Sequence, residues 1–367
     1  MNLVIYAVGD IMLGEQPLCH GFGVKSKICK NGIEYLFGEL KEIFPNGDIV
    51  FGNLEAPASN ITEKSGIYTN YFRADPKKIQ NLKNMGFNVL SIANNHIMEH
   101  GAISFKNTVE ELKKNNILPV GLKNGFEVLN VKGLNVGFLG CSLINDFLDN
   151  HPYNNFTSEN ELIENVMVMR EKVDLLIISI HWGQEYVPYP SKEQVELGRK
   201  LIELGGDIIL GGHPHVLQGY EIYKGKPIFY SLGNLIFDHT YIKETQKTIV
   251  TKINLKIDNK KIIGTDVEVI PLISNPNDYS LSKAKENQKE EILHFLSDSR
   301  KILKDKSPME YLEVLKTMGY LKTSEKCKKT ARREMKLFFL KNFSKYPWEL
   351  KKNIIKKQFF NLFGVKK

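Results

Sequence analysis

The chain has 367 residues, 42% of them hydrophobic and 25% charged, a balance that excludes a disordered polymer and leaves ample length for a buried core. A formal net charge of +8 suggests a nucleic-acid binder only until the charge is located: residues 320–367 carry 15 Lys and Arg against 3 acidic residues, and residues 1–319 carry 35 against 39. The basicity belongs to a tail, and no nucleic-acid partner is expected.

The opening run Leu3-Val4-Ile5-Tyr6-Ala7-Val8 passes straight into Gly9-Asp10, and the first Lys is Lys25, so the N-terminus reads as a core strand and not as a secretory leader. Short apolar runs rich in β-branched residues predict strands over 2–8, 48–52, 87–92, 126–131, 134–140, 174–180, 207–211 and 227–232. Helix-period stretches over 33–43, 76–85, 102–115, 160–172 and 192–204 separate several of them, and this alternation predicts an α/β sandwich. Residues 247–257 and 261–270 alternate like an antiparallel hairpin turning at Asp258-Asn259. Beyond Pro271 the segment Asn275-Pro276-Asn277-Asp278 reads as a linker, followed by helical stretches over 281–304 and 308–319. The organisation expected is a catalytic domain over 1–272, a helical extension over 273–325 and a basic amphipathic tail over 326–367. No run approaches the roughly 18 apolar residues of a spanning helix. Cys19, Cys29, Cys141 and Cys327 form no CxxC pair, which favours a reducing, cytoplasmic setting.

Five predicted strands end in acidic, amide or imidazole groups: Gly9-Asp10, Gly52-Asn53-Leu54-Glu55, Ala93-Asn94-Asn95-His96, His181-Trp182-Gly183 and Gly211-Gly212-His213-Pro214-His215. In open α/β sheets the loops after strand carboxyl ends converge, so separate segments can build one site. Asp10, Glu55, Asn95, His181, His213 and His215 form a mixed oxygen and nitrogen set suited to Mn, Fe or Zn. Six ligands exceed one tetrahedral ion with an open position, and they fit two divalent metal ions sharing a carboxylate. Taken singly, Asp10 reads equally as a turn residue and Asn95 as a loop residue tolerating left-handed backbone; the two His across Pro214 are the least easily explained by chance. His96, not needed as a ligand, is the candidate proton donor. Arg73, in Tyr71-Phe72-Arg73-Ala74, is a candidate clamp for a phosphate or carboxylate, or a surface ion pair. Glu185 and Tyr186 follow the His181 loop and either contact substrate or support His181.

These segments, with Tyr230-Ser231-Leu232-Gly233-Asn234-Leu235-Ile236-Phe237-Asp238, resemble in order and spacing the CapA family, the capsule and poly-γ-glutamate synthesis branch of the calcineurin-like metallophosphoesterases. The resemblance spans residues 1–240. It implies a four-layer α/β/β/α sandwich, here with a C-terminal helical extension, and a two-metal site at its edge. Carried over motif by motif, Asp10 and His215 hold the first ion, Glu55 bridges, and Asn95, His181 and His213 hold the second. Two departures stand out: Met12 occupies the place of an imidazole two residues after Asp10, and Glu99 replaces an Asp three residues after His96. The implied chemistry is hydrolysis of a phosphomonoester or phosphodiester in an anionic small molecule or polymer, in cell-envelope synthesis. Amide hydrolysis or transfer on poly-γ-glutamate and a non-catalytic assembly role are the alternatives.

In the tail, Leu350, Ile354, Ile355, Phe359, Leu362 and Phe363 recur at helical spacing among Lys351, Lys352, Lys356 and Lys357, and Pro347 precedes Trp348 at a helix start. A cationic helix with an aromatic apolar side fits an anionic membrane surface, which would place the protein peripherally on the inner membrane face. It fits equally a helix docked on the core with its Lys residues in solvent.

Overall fold

The computed structural model describes residues 1–353 and 355, apart from 39, 145, 147–149 and 157. Two sheets stack face to face. The first contains β1 (Asn2–Ile11), β2 (Ile49–Leu54), β3 (Val89–Ser91) and β4 (Leu118–Val120), all parallel. The second contains β5 (Glu127–Val131), β6 (Leu134–Ser142), β7 (Leu175–His181), β8 (Ile208–Gly212), β9 (Tyr220–Tyr223) and β10 (Lys226–Phe229) in the order β5-β6-β7-β8-β10-β9. The first sheet is completed by β11 (Asn234–Ile236), parallel to β1, and by the antiparallel run β12 (Lys247–Asp258), β13 (Lys261–Ser274) and β14 (Leu281–Lys283). The hairpin predicted at Asp258-Asn259 is β12–β13, with Asn259 and Lys260 both at positive φ (45° and 63°) as a tight hairpin turn requires.

Residues of β1 alternate between two cores. Leu3, Ile5 and Ala7 point between the sheets, where they meet Phe138, Ile177, Ile208 and Leu210, while Tyr6 and Val8 point outward. The outer face of the first sheet is covered by α1 (Val24–Asn31), α2 (Ile33–Phe37), α3 (Leu40–Ile43), α4 (Lys78–Asn84) and α5 (Ala102–Lys114). That of the second is covered by α6 (Glu159–Arg170) and α7 (Lys192–Glu203), whose Leu162, Val166, Val195 and Leu201 pack on Ile178 and Ile180. The four layers are α/β/β/α.

The single helix expected over 33–43 is broken at Gly38, whose φ of +50° ends α2. The boundary expected at 272–273 falls inside β13, and residues 281–283, expected to begin a helix, form β14 instead. Helix α8 (Glu286–Leu303) carries Ile292 and Leu296 into the core between the sheets, and α9 (Pro308–Thr317) carries Tyr311 and Leu315 onto the second sheet's outer core. Helix α10 (Tyr320–Lys341) follows, and among the described residues no helix is long and apolar enough to cross a membrane.

Glu127 opens the edge strand β5 with its side chain buried, accepting a hydrogen bond from the Gly121 N–H (3.3 Å). Burial pushes its carboxyl up to about 7, and backbone hydrogen bonds offset this only in part. A raised carboxyl pKa contributes stability at low pH that is lost as pH rises, here between about 4.5 and 7. Glu127→Gln is therefore expected to be neutral at pH 4.5 and to stabilise by roughly 3 kcal/mol at pH 8, at 1.36 kcal/mol per pH unit. Urea denaturation of both proteins at the two pH values measures it.

Candidate metal centre

All five strand ends meet at one edge of the sandwich. β1 delivers Asp10 because Gly9 lets it run against the loop before β11: a Cβ on Gly9 would lie 1.8 Å from the Gly233 carbonyl oxygen, and the Asp10 N–H donates to that same oxygen (3.0 Å). Gly212 has the same role at the end of β8, where a Cβ would lie 2.7 Å from Asp10 Oδ1. The next loop holds His213 and His215 at φ +94° and +58°, a left-handed backbone that is costly for these residues and turns both rings toward the cluster.

Ligand atoms of Glu55, His181 and His213 lie within 4.8 Å of one another, as do those of Asp10, Glu55 and His215 and those of Glu185, His213 and His215. Asn95 Oδ1 lies 2.8 Å from His181 Nε2, which brings the sixth expected ligand into the same cluster. Glu55 belongs to two of the triads and occupies the centre. His215 Nδ1 faces Asn234 Oδ1 at 2.9 Å, leaving Nε2 turned toward Glu55 at 3.8 Å.

The electrostatics of this cluster suit a cation. Glu55 is fully buried, and neither of its carboxylate oxygens has a hydrogen-bond partner among the described residues; His213 Nδ1 is likewise buried and unpartnered. Burial first, then the neighbouring Asp10 and Glu185, push the Glu55 carboxyl well above its ordinary range. Burial first, then the other imidazoles, hold His181 and His213 well below theirs, as neutral nitrogen donors. An unpaired buried carboxylate beside neutral imidazoles is expensive without a positive charge, and a divalent ion satisfies all of these atoms together.

His96 lies at the rim, stacked on Phe72 (centroids 4.3 Å apart), with Nδ1 3.2 Å from Glu99 Oε1. Glu99, the longer replacement at its position, thus reaches back to orient His96. Arg73 is directed elsewhere: its Nη1 donates to the Asn60 carbonyl oxygen (3.0 Å), and among the described residues it makes no hydrogen bond or ion pair with the cluster. Glu185 is exposed beside His213 and His215, and the Tyr186 ring lies 6.2 Å from that of His215.

Three buried polar residues join the site without having been singled out from sequence. Asn53 donates to Asp10 Oδ1 (2.8 Å) and accepts from Asn94 Nδ2 (3.0 Å), knitting three strand ends together. Asn234 orients His215, and the buried His239 packs 4.7 Å from the His215 ring. The signal for Asn53 was its place inside the strand-end segment Gly52–Glu55 and that for Asn234 its place inside Tyr230–Asp238; His239 lies one residue beyond the latter. Asp238 is structural, accepting from the Gln16 and Val24 N–H groups (2.7 and 2.6 Å) at the start of α1.

Helix α10 crosses the mouth of this centre. Phe338 packs on Tyr241 (4.6 Å) and Phe22 (6.0 Å), while Phe339, Tyr346 and Leu350 are buried against Tyr71. The described part of the tail is thus docked on the core, with Leu337, Leu340, Trp348 and Ile355 left exposed; positions 354, 356, 357, 359, 362 and 363 lie outside the described residues. Between α10 and the loop after β7 lies a cleft of about 460 Å³ lined by Gln184, Glu185, Tyr186, Lys328, Arg332 and Met335. A larger cleft, about 1110 Å³, lies between α7 and α8 and shares no residue with the cluster.

A family model described as bacterial capsule synthesis protein PGA_cap matches residues 4–239, the stretch that holds every residue of the cluster. The chain belongs to this family. It is 30% identical over 295 residues to the capsule biosynthesis protein CapA of Bacillus anthracis, covering 74% of this chain and 67% of that protein. It is 31% identical over 255 residues to the PGA biosynthesis protein CapA of Bacillus subtilis, covering 66% of this chain and 65% of that protein. The chain thus spans about two thirds of the length of these relatives. Among solved structures it is similar to a phosphatase from Mycoplasma pneumoniae (16% identity, TM-score 0.47, 74% of this chain and 94% of that one). It is also similar to a calcineurin-like phosphoesterase from Bacillus subtilis (14% identity, TM-score 0.44, 83% and 99%).

Proposed function

We propose that the protein is a metal-dependent hydrolase with two divalent ions, Mn, Fe or Zn, that cleaves a phosphoester in the synthesis of a capsule or other envelope polymer. The observation that carries this reading is the buried Glu55 carboxylate with both oxygens unpartnered, ringed by His181, His213, His215 and Asp10. Two ions held there would make a shared water acidic enough to attack at neutral pH and would neutralise charge on the substrate oxygens.

The chain's own residues supply the remainder. Asp10, Glu55 and His215 form one set of donors, and Glu55, Asn95, His181 and His213 the other. Asn53 fixes the Asp10 carboxylate, and Asn234 fixes His215. His96, its Nδ1 held 3.2 Å from Glu99 Oε1, is the candidate donor of a proton to the leaving group. An anionic substrate is favoured by Lys328 and Arg332, one helical turn apart on α10 and lining the cleft that opens on Glu185.

The test is the full chain, loaded with Mn, against phosphomonoesters, phosphodiesters and γ-glutamyl peptides. Metal-dependent phosphoester turnover that Asp10→Ala abolishes is the expected result. Turnover of γ-glutamyl amides alone would replace the phosphoesterase reading with an amide hydrolase. Absence of both, with Asp10→Ala retaining cellular function, would leave a scaffold.

A further inference from the structure

We propose that Glu185 is a further ligand of the metal centre, donating a carboxylate oxygen to the ion that His215 also holds. The inference rests on the two-ion reading above. The two donor sets are unequal: one has Glu55, Asn95, His181 and His213, and the other only Asp10, Glu55 and His215. Met12, two residues beyond Asp10, adds nothing, because its side chain is buried among Ala56 and Phe237. Glu185 supplies the missing donor. Its carboxylate, with ring nitrogens of His213 and His215, falls inside the same 4.8 Å limit as the other triads. Donors at about 2.1 Å from one ion lie at most about 4.2 Å apart, so only a small inward movement completes the shell.

The backbone holds Glu185 at this place. On its C-terminal side, Tyr186 takes a positive φ of 64° and donates its N–H to the Pro214 carbonyl oxygen (2.8 Å), inside the His213–His215 loop. On its N-terminal side, the Trp182 N–H donates to the Gly212 carbonyl oxygen (3.1 Å), and Gly183 follows at φ +86°. The Glu185 loop and the His loop are thereby tied at two points. Charge supports the same assignment. Glu185 makes no ion pair with a Lys or Arg among the described residues, and without a cation beside it its charge would oppose an anionic substrate in the cleft that it lines. Bound to a divalent cation, it does not.

The experiment is calorimetric titration of chelator-treated full-length protein with Mn²⁺ alone, in wild type and Glu185→Gln, with electron paramagnetic resonance of the loaded forms. Wild type is expected to take up two ions with a coupled two-metal spectrum. In Glu185→Gln one affinity is unchanged, the other is weakened about tenfold or more, and at limiting Mn²⁺ an uncoupled six-line spectrum replaces the coupled one. Equal apo melting temperatures would confirm that the exposed Glu→Gln change leaves the fold intact. Two unchanged affinities in Glu185→Gln overturn the assignment of Glu185 alone, whereas fewer than two ions in wild type overturn the two-ion reading and this inference with it.

Discussion

Glu55→Gln is expected to abolish metal-dependent turnover, by at least about 10³-fold or about 4 kcal/mol in the barrier, while making the metal-free protein more stable. Both effects come from one carboxylate. Glu55 is buried with two unpartnered oxygens, and burial, then the adjacent Asp10, drive its carboxyl up. A carboxyl raised on folding stabilises the folded state at low pH, and that contribution is lost as pH rises through the folded pKa. The metal-free wild type should therefore weaken from the ordinary glutamate range upward, and Glu55→Gln should flatten that slope. Metal reverses the order of the two proteins. Free Mn²⁺ at 100 times its dissociation constant stabilises the state that binds it by about 2.7 kcal/mol per site, a gain available to wild type and denied to Glu55→Gln. Thermal melts with chelator and with Mn²⁺, at pH 5 and pH 8, measure both signs. Equal metal-induced shifts in the two proteins would exclude Glu55 as the shared ligand.

The same residue shows why so much of the site was legible in the sequence. A carboxylate at the end of an apolar strand has few structural uses, and five strands ending in Asp, Glu, Asn or His can converge only if the strands are parallel and their carboxyl ends share an edge. The fold follows the same logic: β1, β7 and β8 are buried on both faces and read as continuous apolar runs. Strands β4, β9, β11 and β14 escaped because three or four residues do not define a period. Asn53 and Asn234 were visible as residues, but their work depends on which atom faces Asp10 or His215, and spacing carries no such information. Arg73 resembled an anion clamp by residue type, yet its guanidinium is engaged by the Asn60 carbonyl. The tail was ambiguous for a physical reason: an amphipathic cationic helix meets lipid and protein with the same apolar face, and in the described residues Phe338, Phe339 and Tyr346 pack on the core.

Arg199→Ala is expected to destabilise the protein by about 3 to 5 kcal/mol and to loosen the segment that leads into α10. Arg199, on α7, is buried and grips the buried Glu221 with two hydrogen bonds (Nε to Oε1, 2.8 Å; Nη2 to Oε2, 2.6 Å), while the Tyr230 hydroxyl donates to the same carboxylate (2.6 Å). Its remaining N–H groups donate to the carbonyl oxygens of Leu303, at 2.9 Å, and Lys306. One side chain therefore neutralises a buried carboxylate and caps the end of α8 at the turn into α9. Truncation leaves Glu221 charged without a counter-ion and frees both carbonyls, so the cost is that of orphaned groups and not the net worth of the pair. This distinction can be measured. Arg199→Met combined with Glu221→Gln removes both charges and keeps an acceptor for Tyr230, and it should cost clearly less than Arg199→Ala alone in urea denaturation. A double variant as unstable as the single one would mean that the ion pair itself carries the stability. Because α8 and α9 lead into α10, Arg199→Ala should also expose residues 304–307 to limited proteolysis, while the candidate ligands, in or just after strands β1, β2, β3, β7 and β8, keep any affinity for Mn²⁺.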